Sequence, residues 1–475
     1  SERDAKLDGR SIPLPRGRVM GGCSSVNGMI YLRGHSGDYD GWRQMGCVGW
    51  GYEDVLPYFR KMETSWRGAG HYHGGSGPLQ VSPVEDAHLL AEPMRRSVVA
   101  AGYGLSDDLN GAVQEGFARC EVTVDRRGRR SSTSQAYLLP ARRRPNLTVV
   151  SGAQATRLLF EGTRASGIEY RRSDRLEVVS ARREVILSGG AYNSPQLLML
   201  SGIGPADHLR EHGIPLKVDA PQVGRNLSEH PLVYMMYAAK DDSTFLSALR
   251  FDRAARSVVQ WALAGRGPFA SQITSGVMML RTRPELERPD IQLVFLPVRL
   301  DAKLWYPLGA RQSHMLSVMV MQLHPESRGT VELRSADPFA KPRIDLNLLS
   351  TPNDFGEMRR GVAAVRRIFA QRPLANMVTA ELSPGPAASD DAALDAFMRG
   401  NLRITQHPVG TCRMGEDAGA VVDSQLRARG VEGLRVVDAS VMPTVPGANI
   451  NAAVIMVAER AADLIRGRTP LSPDR

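Results

Sequence analysis

The chain has few cysteines, and they form no framework. Its 475 residues contain only Cys23, Cys47, Cys120 and Cys412, with no CxxC pair. Zinc sites and disulfide scaffolds need cysteines at short, repeated spacings, so the sequence predicts neither, and no metal site is expected. The pattern is typical of a reducing compartment, which predicts a cytoplasmic protein.

Long hydrophobic runs are also absent. No stretch of 18 apolar residues occurs, so the sequence predicts no membrane span. Hydrophobic residues make up 42% of the chain and charged residues 23%, the balance of ordinary globular domains. The length allows two or three such domains.

Lysine is scarce although the chain is basic. The net charge is +10, but only six of the 60 basic residues are lysine, and aromatic residues amount to 6%. A nucleic-acid surface would gather basic and aromatic side chains on one stripe, whereas here they are scattered. The densest arginine runs, 126–130 and 142–144, are interpreted as solvated loops, and no nucleic-acid partner is expected.

The spacing GxGxxG, which cradles a dinucleotide pyrophosphate, does not occur either. Two segments, GIGPAD from residue 202 and GRGPFA from residue 265, lack the third glycine. In a Rossmann unit this turn joins the first strand to the first helix. The sequence as it stands therefore contains no such cradle.

Residues 147–188 contain a series of predicted strands. The runs LTVVS, TRLLF, SGIEY, LEVVS and EVILS alternate with charged or glycine turns. Gly189 and Gly190 follow, and then Ser194 and Pro195 predict a helix start with Ser194 as N-cap. Strand, glycine turn and helix is an arrangement that holds phosphates or flavins, and it is also a common connection without any ligand.

A second region, from about residue 231 to 400, lacks regular βαβ alternation. Residues 291–296, 315–323 and 330–333 are predicted strands. A helix is predicted after them, because one of its faces would carry the apolar residues Phe355, Met358, Val362, Val365 and Phe369. Strands followed by helices in this way predict an antiparallel sheet backed by helices.

The C-terminal part returns to an α/β pattern. The strand LRVVDAS leads through MPTVPGANIN into a predicted helix over residues 452–466, with Asn449 or Asn451 as N-cap. Its predicted buried stripe consists of Val454, Val457, Ala461, Leu464 and Ile465.

Five stretches of the sequence, taken in order, are similar to the glucose-methanol-choline (GMC) family of flavin oxidoreductases. They are LDGRSIPLPRGRVMGGCSSVNGMIYLRGH (7–35), SGGAYNSPQLLMLSGIGP (188–205), VGRNLSEHP (223–231), HPESRGTVELRSADP (324–338), and QHPVGTCRMG with VVDASVMPTVPGANINAAVIMVAE (406–415 and 436–459). The resemblance covers almost the whole chain.

The resemblance implies an α/β fold with two parts. One is a Rossmann-like FAD-binding domain that lacks its N-terminal βαβ unit with GxGxxG, and the other is a substrate domain with an antiparallel sheet backed by helices. The expected boundaries are 1–230, 231–404 and 405–475, the last returning to the FAD domain, with the family's C-terminal region over about 324–465. Two explanations of the absent unit stay open, a fragment, which is favoured, and a natural loss.

The resemblance also implies which residues bind FAD. They are Gly21, Gly22, Cys23, Asn27 and Gly28 in the glycine turn, Ala155 at the adenine, Asp438 and Ala439 at the ribityl chain and pyrophosphate, and Asn449, Ala452 and Ala453 at the start of the last helix. Helix N-terminal amides favour negative charge, which suits the pyrimidine side of a reduced flavin. Some members link FAD covalently to a histidine whose place is taken here by Val26, so non-covalent FAD is expected.

The implied reaction is oxidation of a primary or secondary alcohol by hydride transfer to flavin N5. His407 matches the catalytic histidine, and an imidazole is suited to remove the hydroxyl proton. Asn451 matches its partner position, and His230 is interpreted as structural. The electrons then pass to oxygen or to a quinone-like acceptor.

Two other functions stay open. A few relatives in the family are hydroxynitrile lyases that keep a similar histidine and never reduce their flavin. The other is an inactive protein that binds no FAD, an alternative based on the absence of the GxGxxG turn. The substrate pocket has only weak candidates, because Phe295, Trp305 and Tyr306 suit either an aromatic cage for a quaternary ammonium or a hydrophobic core.

Overall fold

The computed structural model describes residues 1–85, 89–270, 272–306, 309 and 312–473. The α-helices are α1 (Ser36–Gln44), α2 (Tyr52–Met62), α3 (Ala91–Ala100), α4 (Leu139–Ala141), α5 (Gly190–Leu200), α6 (Ala206–Glu211), α7 (Phe251–Ala264), α8 (Pro352–Phe369), α9 (Leu374–Met377), α10 (Asp391–Asn401) and α11 (Asn451–Ile465). Short 3₁₀ segments lie at Ala5–Leu7, Gly22–Ser25, Phe245–Leu249 and Ala439–Val441, and a π-helical turn at Ser134–Leu138.

The strands are β1 (Glu63–Ser65), β2 (Leu79–Pro83), β3 (Gly116–Ala118), β4 (Glu121–Val122), β5 (Ala153–Glu161), β6 (Arg164–Arg172), β7 (Arg175–Ser180), β8 (Val185–Leu187), β9 (Ile203–Gly204), β10 (Val218–Asp219), β11 (Pro231–Ala239), β12 (Gly276–Leu280), β13 (Ile291–Leu296), β14 (Met315–Gln322), β15 (Thr330–Glu332), β16 (Arg343–Asp345), β17 (Val378–Ser383), β18 (Arg403–Ile404) and β19 (Leu434–Val436).

The largest sheet is antiparallel, in the order β17-β11-β14-β13-β12-β3, with β18 also pairing with β11. Helix α8 packs on β13 and β14 through Met358, Val362 and Val365, all fully buried. The predicted antiparallel sheet backed by helices is therefore confirmed. Its edge strand β3 comes from the N-terminal third of the chain, which no strand pattern had indicated.

The α/β part is built around two parallel strands, β8 and β19, which pair Val185 with Leu434. Each strand leads into a helical segment, α5 after β8 and the 3₁₀ turn followed by α11 after β19. Leu187 and Val436 of the strands join Leu198 of α5 in one hydrophobic core. Beside them β5, β6 and β7 form an antiparallel meander. The predicted α/β fold class is confirmed.

One predicted strand does not form. The run LTVVS at residues 147–151 has no strand partner, and the first strand of the series begins at Ala153. Leu147, Val149 and Val150 are 38% to 45% exposed. An apolar run is only half of a strand signal, because a ladder also needs a neighbouring backbone to pair with.

The predicted helix start at Ser194 is also wrong, because α5 begins four residues earlier at Gly190. Pro195 lies inside the helix and cannot bond to the carbonyl of Ala191, which instead accepts a hydrogen bond from Thr411 Oγ1 at 2.6 Å. Ser194 Oγ donates to Asp438 Oδ2 at 2.5 Å rather than capping. A distant part of the chain thus supplies what a local cap would have supplied.

The four cysteines are all free thiols. Cys47, Cys120 and Cys412 are buried and Cys23 is exposed. Among the described residues, no helix is both long and apolar enough to cross a membrane. The cytoplasmic location that the cysteine usage favours stays a prediction.

A buried ion network fixes the N-terminal part of the molecule. Arg33 Nη2 lies 2.7 Å from Glu63 Oε1, and both side chains are fully buried. His73 bridges Glu63 and Asp108 at 3.0 and 2.8 Å. Burial alone would lower the pKa of His73, but its hydrogen bonds to Asp108 and Glu63 raise that pKa to about 9. Its protonated form is therefore stabilised by folding.

We predict that the protein loses stability as the pH rises from 6.5 through 9. A histidine in the unfolded chain has a pKa near 6.5, so the stability gained from protonated His73 is complete below that pH and is lost as its folded pKa is passed. At most about 3 kcal/mol is involved. Apparent melting temperatures should fall over this range, and the fall should be smaller in His73→Gln. His71→Gln, at an exposed neighbour, is the control, and equal slopes in all three proteins would contradict the prediction.

Candidate active site

The candidate site is built on two segments that are distant in sequence and pair in antiparallel orientation. Residues 228–232 pair with residues 403–409 through reciprocal backbone bonds between Ser228 and Val409, of 3.1 and 3.0 Å, and through the pairing of β11 with β18. The amide of Thr405 also donates to the carbonyl of His230 at 3.2 Å. This pairing brings the motifs LSEHP and QHPVGT together.

His407 and His230 meet across this pairing. Their Nδ1 atoms are 3.1 Å apart, and the rings are perpendicular with centroids 5.3 Å apart. His230 Nε2 lies 3.0 Å from the carbonyl oxygen of Leu323, which can only accept, so Nε2 of His230 carries the proton. In a neutral His230 the Nδ1 atom is then an acceptor, and His407 must donate to it from Nδ1. This leaves His407 Nε2 unprotonated, with no partner among the described residues.

Thr405 and Glu229 hold the same tautomer from the other side. Thr405 Oγ1 lies 2.7 Å from His407 Nδ1 and 3.2 Å from Glu229 Oε1, so the hydroxyl donates to the carboxylate and accepts from the imidazole. Glu229 Oε1 also accepts the backbone N–H of His407 at 2.7 Å. Glu229 is 2% exposed and fixes both the main chain and the ring of His407.

Burial sets the protonation of this cluster. Burial, with smaller effects from His230 and Arg16, holds the pKa of His407 well below its usual value. Burial, helped by the neighbouring His324, lowers the pKa of His230 to about 3. Burial raises the pKa of Glu229 to about 7, although the N–H groups that it accepts act in the opposite direction. Both imidazoles are therefore neutral near pH 7.

The start of α11 presents open backbone amides. Ala452 and Ala453 are 1% exposed, and their N–H groups have no acceptor among the described residues. The N-cap is Ile450, which has no capping side chain, so the predicted cap at Asn449 or Asn451 is wrong. Asn449 Oδ1 instead accepts from Gln292 Nε2 at 3.2 Å. A buried helix start without a cap fits a ligand that carries an acceptor or a negative charge.

Asn451 is the first residue of α11 and is partly buried. Its side-chain amide has no hydrogen bond to any described residue. Four residues before it, Gly447 lies so close to His324 that a Cβ there would come within 2.7 Å of the ring.

The glycine turn is held rigidly on one side and is open on the other. Gly21 has φ of 86°, and a Cβ there would lie 2.5 Å from Ser25 Oγ, so only glycine fits. A Cβ on Gly22 would meet nothing within 4 Å, and Cys23 is exposed. Small residues with one open face allow a ligand to approach the backbone closely.

Asn27 and Gly28 follow the glycine turn and are held by side chains from other segments. Asn27 Oδ1 accepts from Arg130 Nη1 at 2.6 Å, and the carbonyl of Gly28 accepts from Gln272 Nε2. These contacts give the second half of the turn a fixed position.

The other predicted FAD-binding residues lie at the end of β19 and in β5. Asp438 is buried, and its carboxylate accepts from Gly190 N, Ser194 Oγ and Ser440 N at 2.9, 2.5 and 2.8 Å. It joins the starts of two helical segments, and Ala439 follows it in the 3₁₀ turn. Ala155 pairs with Tyr170 in the meander, and its neighbour Gln154 accepts from Arg18 Nη2 at 3.3 Å, which puts β5 beside the glycine turn.

The three aromatic residues that suited either a cage or a hydrophobic core do not come together. Phe295 is fully buried and packs edge-on against Phe117 in the core of the large sheet. Tyr306 is 59% exposed and stacks on Phe251 at the surface. Trp305 donates its Nε1 proton to the carbonyl of Leu246. These residues form no common cage.

His230 and His324 were not predicted as part of the site, although the sequence carries a signal for them. The dipeptide His-Pro occurs three times, at 230–231, 324–325 and 407–408, each time inside a family motif. The carbonyl of Leu323, immediately before His324, is the acceptor that fixes the tautomer of His230. Three copies of one dipeptide therefore meet in a single cluster.

Comparisons with known proteins agree on one family. Two family models described as GMC oxidoreductase match residues 5–232 and 325–458. An oxygen-dependent choline dehydrogenase of Brucella ovis is 43% identical over 99% of this chain and 85% of that protein. Pyridoxine 4-oxidase from Mesorbium loti has a similar structure, with TM-score 0.87 and 30% identity over 99% of this chain and 88% of that one. A fungal aryl-alcohol oxidase gives a TM-score of 0.86 at 26% identity, over 98% and 88%.

We predict that His407 stays neutral and keeps its proton on Nδ1 between pH 6.5 and 8, because burial opposes its ionisation and His230 accepts from that nitrogen. In ¹⁵N spectra of histidine-labelled protein, His407 Nε2 should give the shift of an unprotonated ring nitrogen throughout this range. The signals are assigned by their absence in His407→Ala. A midpoint near pH 6.5, or a proton on Nε2, would disprove the tautomer derived from the geometry.

Proposed function

The chain belongs to the GMC oxidoreductase family, as its motifs predicted, and from that premise we propose that it oxidises a primary or secondary alcohol with FAD. The observation that carries the proposal is the fixed tautomer of His407. Hydrogen bonds to His230, Thr405 and Glu229 hold His407 in place and leave a free lone pair on its Nε2 atom. Such a nitrogen is suited to accept the proton of an alcohol hydroxyl.

The residues present fit FAD at its flavin end. The open amides of Ala452 and Ala453 match a ligand that gains negative charge, and the open face at Gly22 admits a planar ring close to the backbone. When bound, FAD supplies an acceptor for the hydride that leaves the alcohol carbon. Asp438 and Ala439 would stand beside the chain that links flavin to adenosine, and Ala155 would meet the adenine.

The protein's own residues perform the proton step. His407 Nε2 takes the hydroxyl proton, and Asn451 donates a hydrogen bond to the substrate oxygen as negative charge develops there. The imidazole becomes positively charged in this step. Thr405 then links its Nδ1–H to Glu229, and in the ionised form of Glu229, which is favoured above its pKa of about 7, a negative charge lies one hydroxyl away from the new positive charge.

The substrate is proposed as a class, an alcohol with a CH–OH donor. The names of the relatives refer to choline, pyridoxine and aryl alcohols, which share this group. We propose oxygen as the electron acceptor, by analogy with the oxygen-dependent choline dehydrogenases, with a quinone-like acceptor as the alternative. Oxygen uptake against the reduction of a soluble quinone, with choline and with benzyl alcohol, distinguishes the two.

We predict that His407→Ala slows alcohol-driven flavin reduction by roughly 10²–10⁴-fold, the usual contribution of a general base. The measurement is anaerobic bleaching of the FAD-loaded protein with an alcohol in a stopped-flow instrument. FAD content should barely change, because the glycine turn and α11 are untouched. Asn451→Ala should slow the same step by a smaller factor.

His71→Ala is the matched control, since this exposed histidine lies outside the site. Bleaching of the His407→Ala protein at the parental rate would remove His407 from the mechanism. A parent that binds FAD but is bleached by no alcohol, and that cleaves a hydroxynitrile, would establish the lyase function in place of alcohol oxidation.

We also predict that the FAD is bound without a covalent link. Val26 stands where some relatives have the linking histidine, and an aliphatic side chain provides no nucleophile for the flavin. Precipitation of the FAD-loaded protein with acid should therefore release all the yellow colour into the supernatant. Colour that stays in the washed pellet would reveal an attachment at another residue.

A further inference from the structure

Helix α7 exposes an apolar stripe to solvent. Only Ala254 and Ser257 of its 14 residues are buried, and the ring of Trp261 lies on the same inner face. A second face, at helical spacing, carries the exposed residues Phe251, Ala255, Val258, Val259, Ala262 and Leu263. Val259 is 56% and Leu263 is 84% exposed. A surface helix normally turns such a stripe inward, whereas α7 turns it outward.

A neighbouring loop extends this stripe. The backbone N–H of Phe251 donates to the carbonyl of Trp305 at 2.8 Å, and the ring of Tyr306 stacks on Phe251 with centroids 5.1 Å apart. Leu304 is 49% and Tyr306 is 59% exposed. The stripe together with Leu304 and Tyr306 is called the α7 patch below. Contiguous apolar surface of this kind marks a site of association.

Cations without acidic partners lie beside the α7 patch. They are Arg256, Arg266 and Lys303, all exposed, and none forms an ion pair with a described residue. The nearby carboxylates of Asp252 and Asp301 are neutralised by Arg250 and Arg299, each at 2.7 Å. The surrounding charge is therefore strongly positive.

An arginine run adjoins the C-terminal end of the helix. Trp261 Nε1 donates to the carbonyl of Gly128 at 2.9 Å, which brings the exposed Arg126, Arg127 and Arg129 alongside. This run, interpreted from the sequence as a solvated loop, lengthens the positive border of the patch.

We propose that α7 lies flat on an anionic lipid bilayer, with the α7 patch among the acyl chains and the cations at the headgroups. An amphipathic helix with arginines beside an apolar face of Phe, Val and Leu is the form that binds membrane surfaces in plane. Anionic headgroups complement the unpaired cations. A second copy of the chain on the same face would bring like charges together, which disfavours that occupant. Binding requires no bound FAD and no turnover.

The test is co-sedimentation of the 475-residue protein with vesicles. Vesicles of phosphatidylcholine with 30% phosphatidylglycerol should bind it, and vesicles of phosphatidylcholine alone should bind it at least tenfold less. Arg256→Gln with Arg266→Gln should weaken binding to anionic vesicles by about fivefold per arginine. Val259→Gln with Leu263→Gln should weaken it by a similar or larger factor while leaving the near-ultraviolet circular dichroism unchanged, because both side chains are mostly exposed.

Val48→Gln is the matched control, as Val48 is 74% exposed on another part of the surface. It should bind vesicles as the parent does. A parent that does not bind anionic vesicles overturns the proposal, and so does one whose binding survives both double substitutions. A concentration-dependent dimer that Val259→Gln with Leu263→Gln dissociates, without vesicle binding by the parent, would identify a second copy as the occupant.

Discussion

The antiparallel pairing of residues 228–232 with residues 403–409 is the constraint on which the candidate site depends. It joins the first long strand of the antiparallel sheet to the segment that leads back into the α/β part. It also brings Glu229 and His230 within hydrogen-bonding distance of a histidine 177 residues later. A buried carboxylate is costly unless it is hydrogen-bonded. Here the accepted backbone N–H groups offset part of that cost, and the link through Thr405 holds the imidazole in one orientation.

The two helices that follow the parallel strands begin in opposite ways. The first amide of α5 donates to Asp438, a carboxylate from a distant segment, so that helix start is satisfied within the protein. Ala452 and Ala453 at the start of α11 are more deeply buried than Gly190, and their amides have no such acceptor among the described residues. A buried helix start that has no cap fits a ligand with an acceptor or a negative charge. The exposed side of the glycine turn supports the same interpretation.

The sequence predicted the large features of the fold because their signals are local. The period of Met358, Val362 and Val365 identified the buried face of α8, and two strands of the antiparallel sheet, β13 and β14, were located within about a residue of their ends. Strands β11, β12, β17 and β18 of the same sheet were not predicted. Long-range partners carry no local signal. From its local sequence Ser194 is a plausible N-cap, but in the structure its hydroxyl bonds to Asp438. His230 was interpreted as structural because its own motif does not indicate that it contacts His407. The catalytic assignments of His407 and Asn451 rest on motif and geometry and stay predictions.

The single exposed thiol makes the glycine turn chemically addressable. Cys23 is the only cysteine of the four that solvent reaches, so a maleimide dye would label one known position and leave the buried three untouched. That position lies beside Gly22, where the backbone is open to a ligand. A flavin seated there would shield the thiol, and its absorption overlaps the emission of a blue fluorophore. Labelling rate and quenching would then report occupancy of the turn one molecule at a time, independently of turnover.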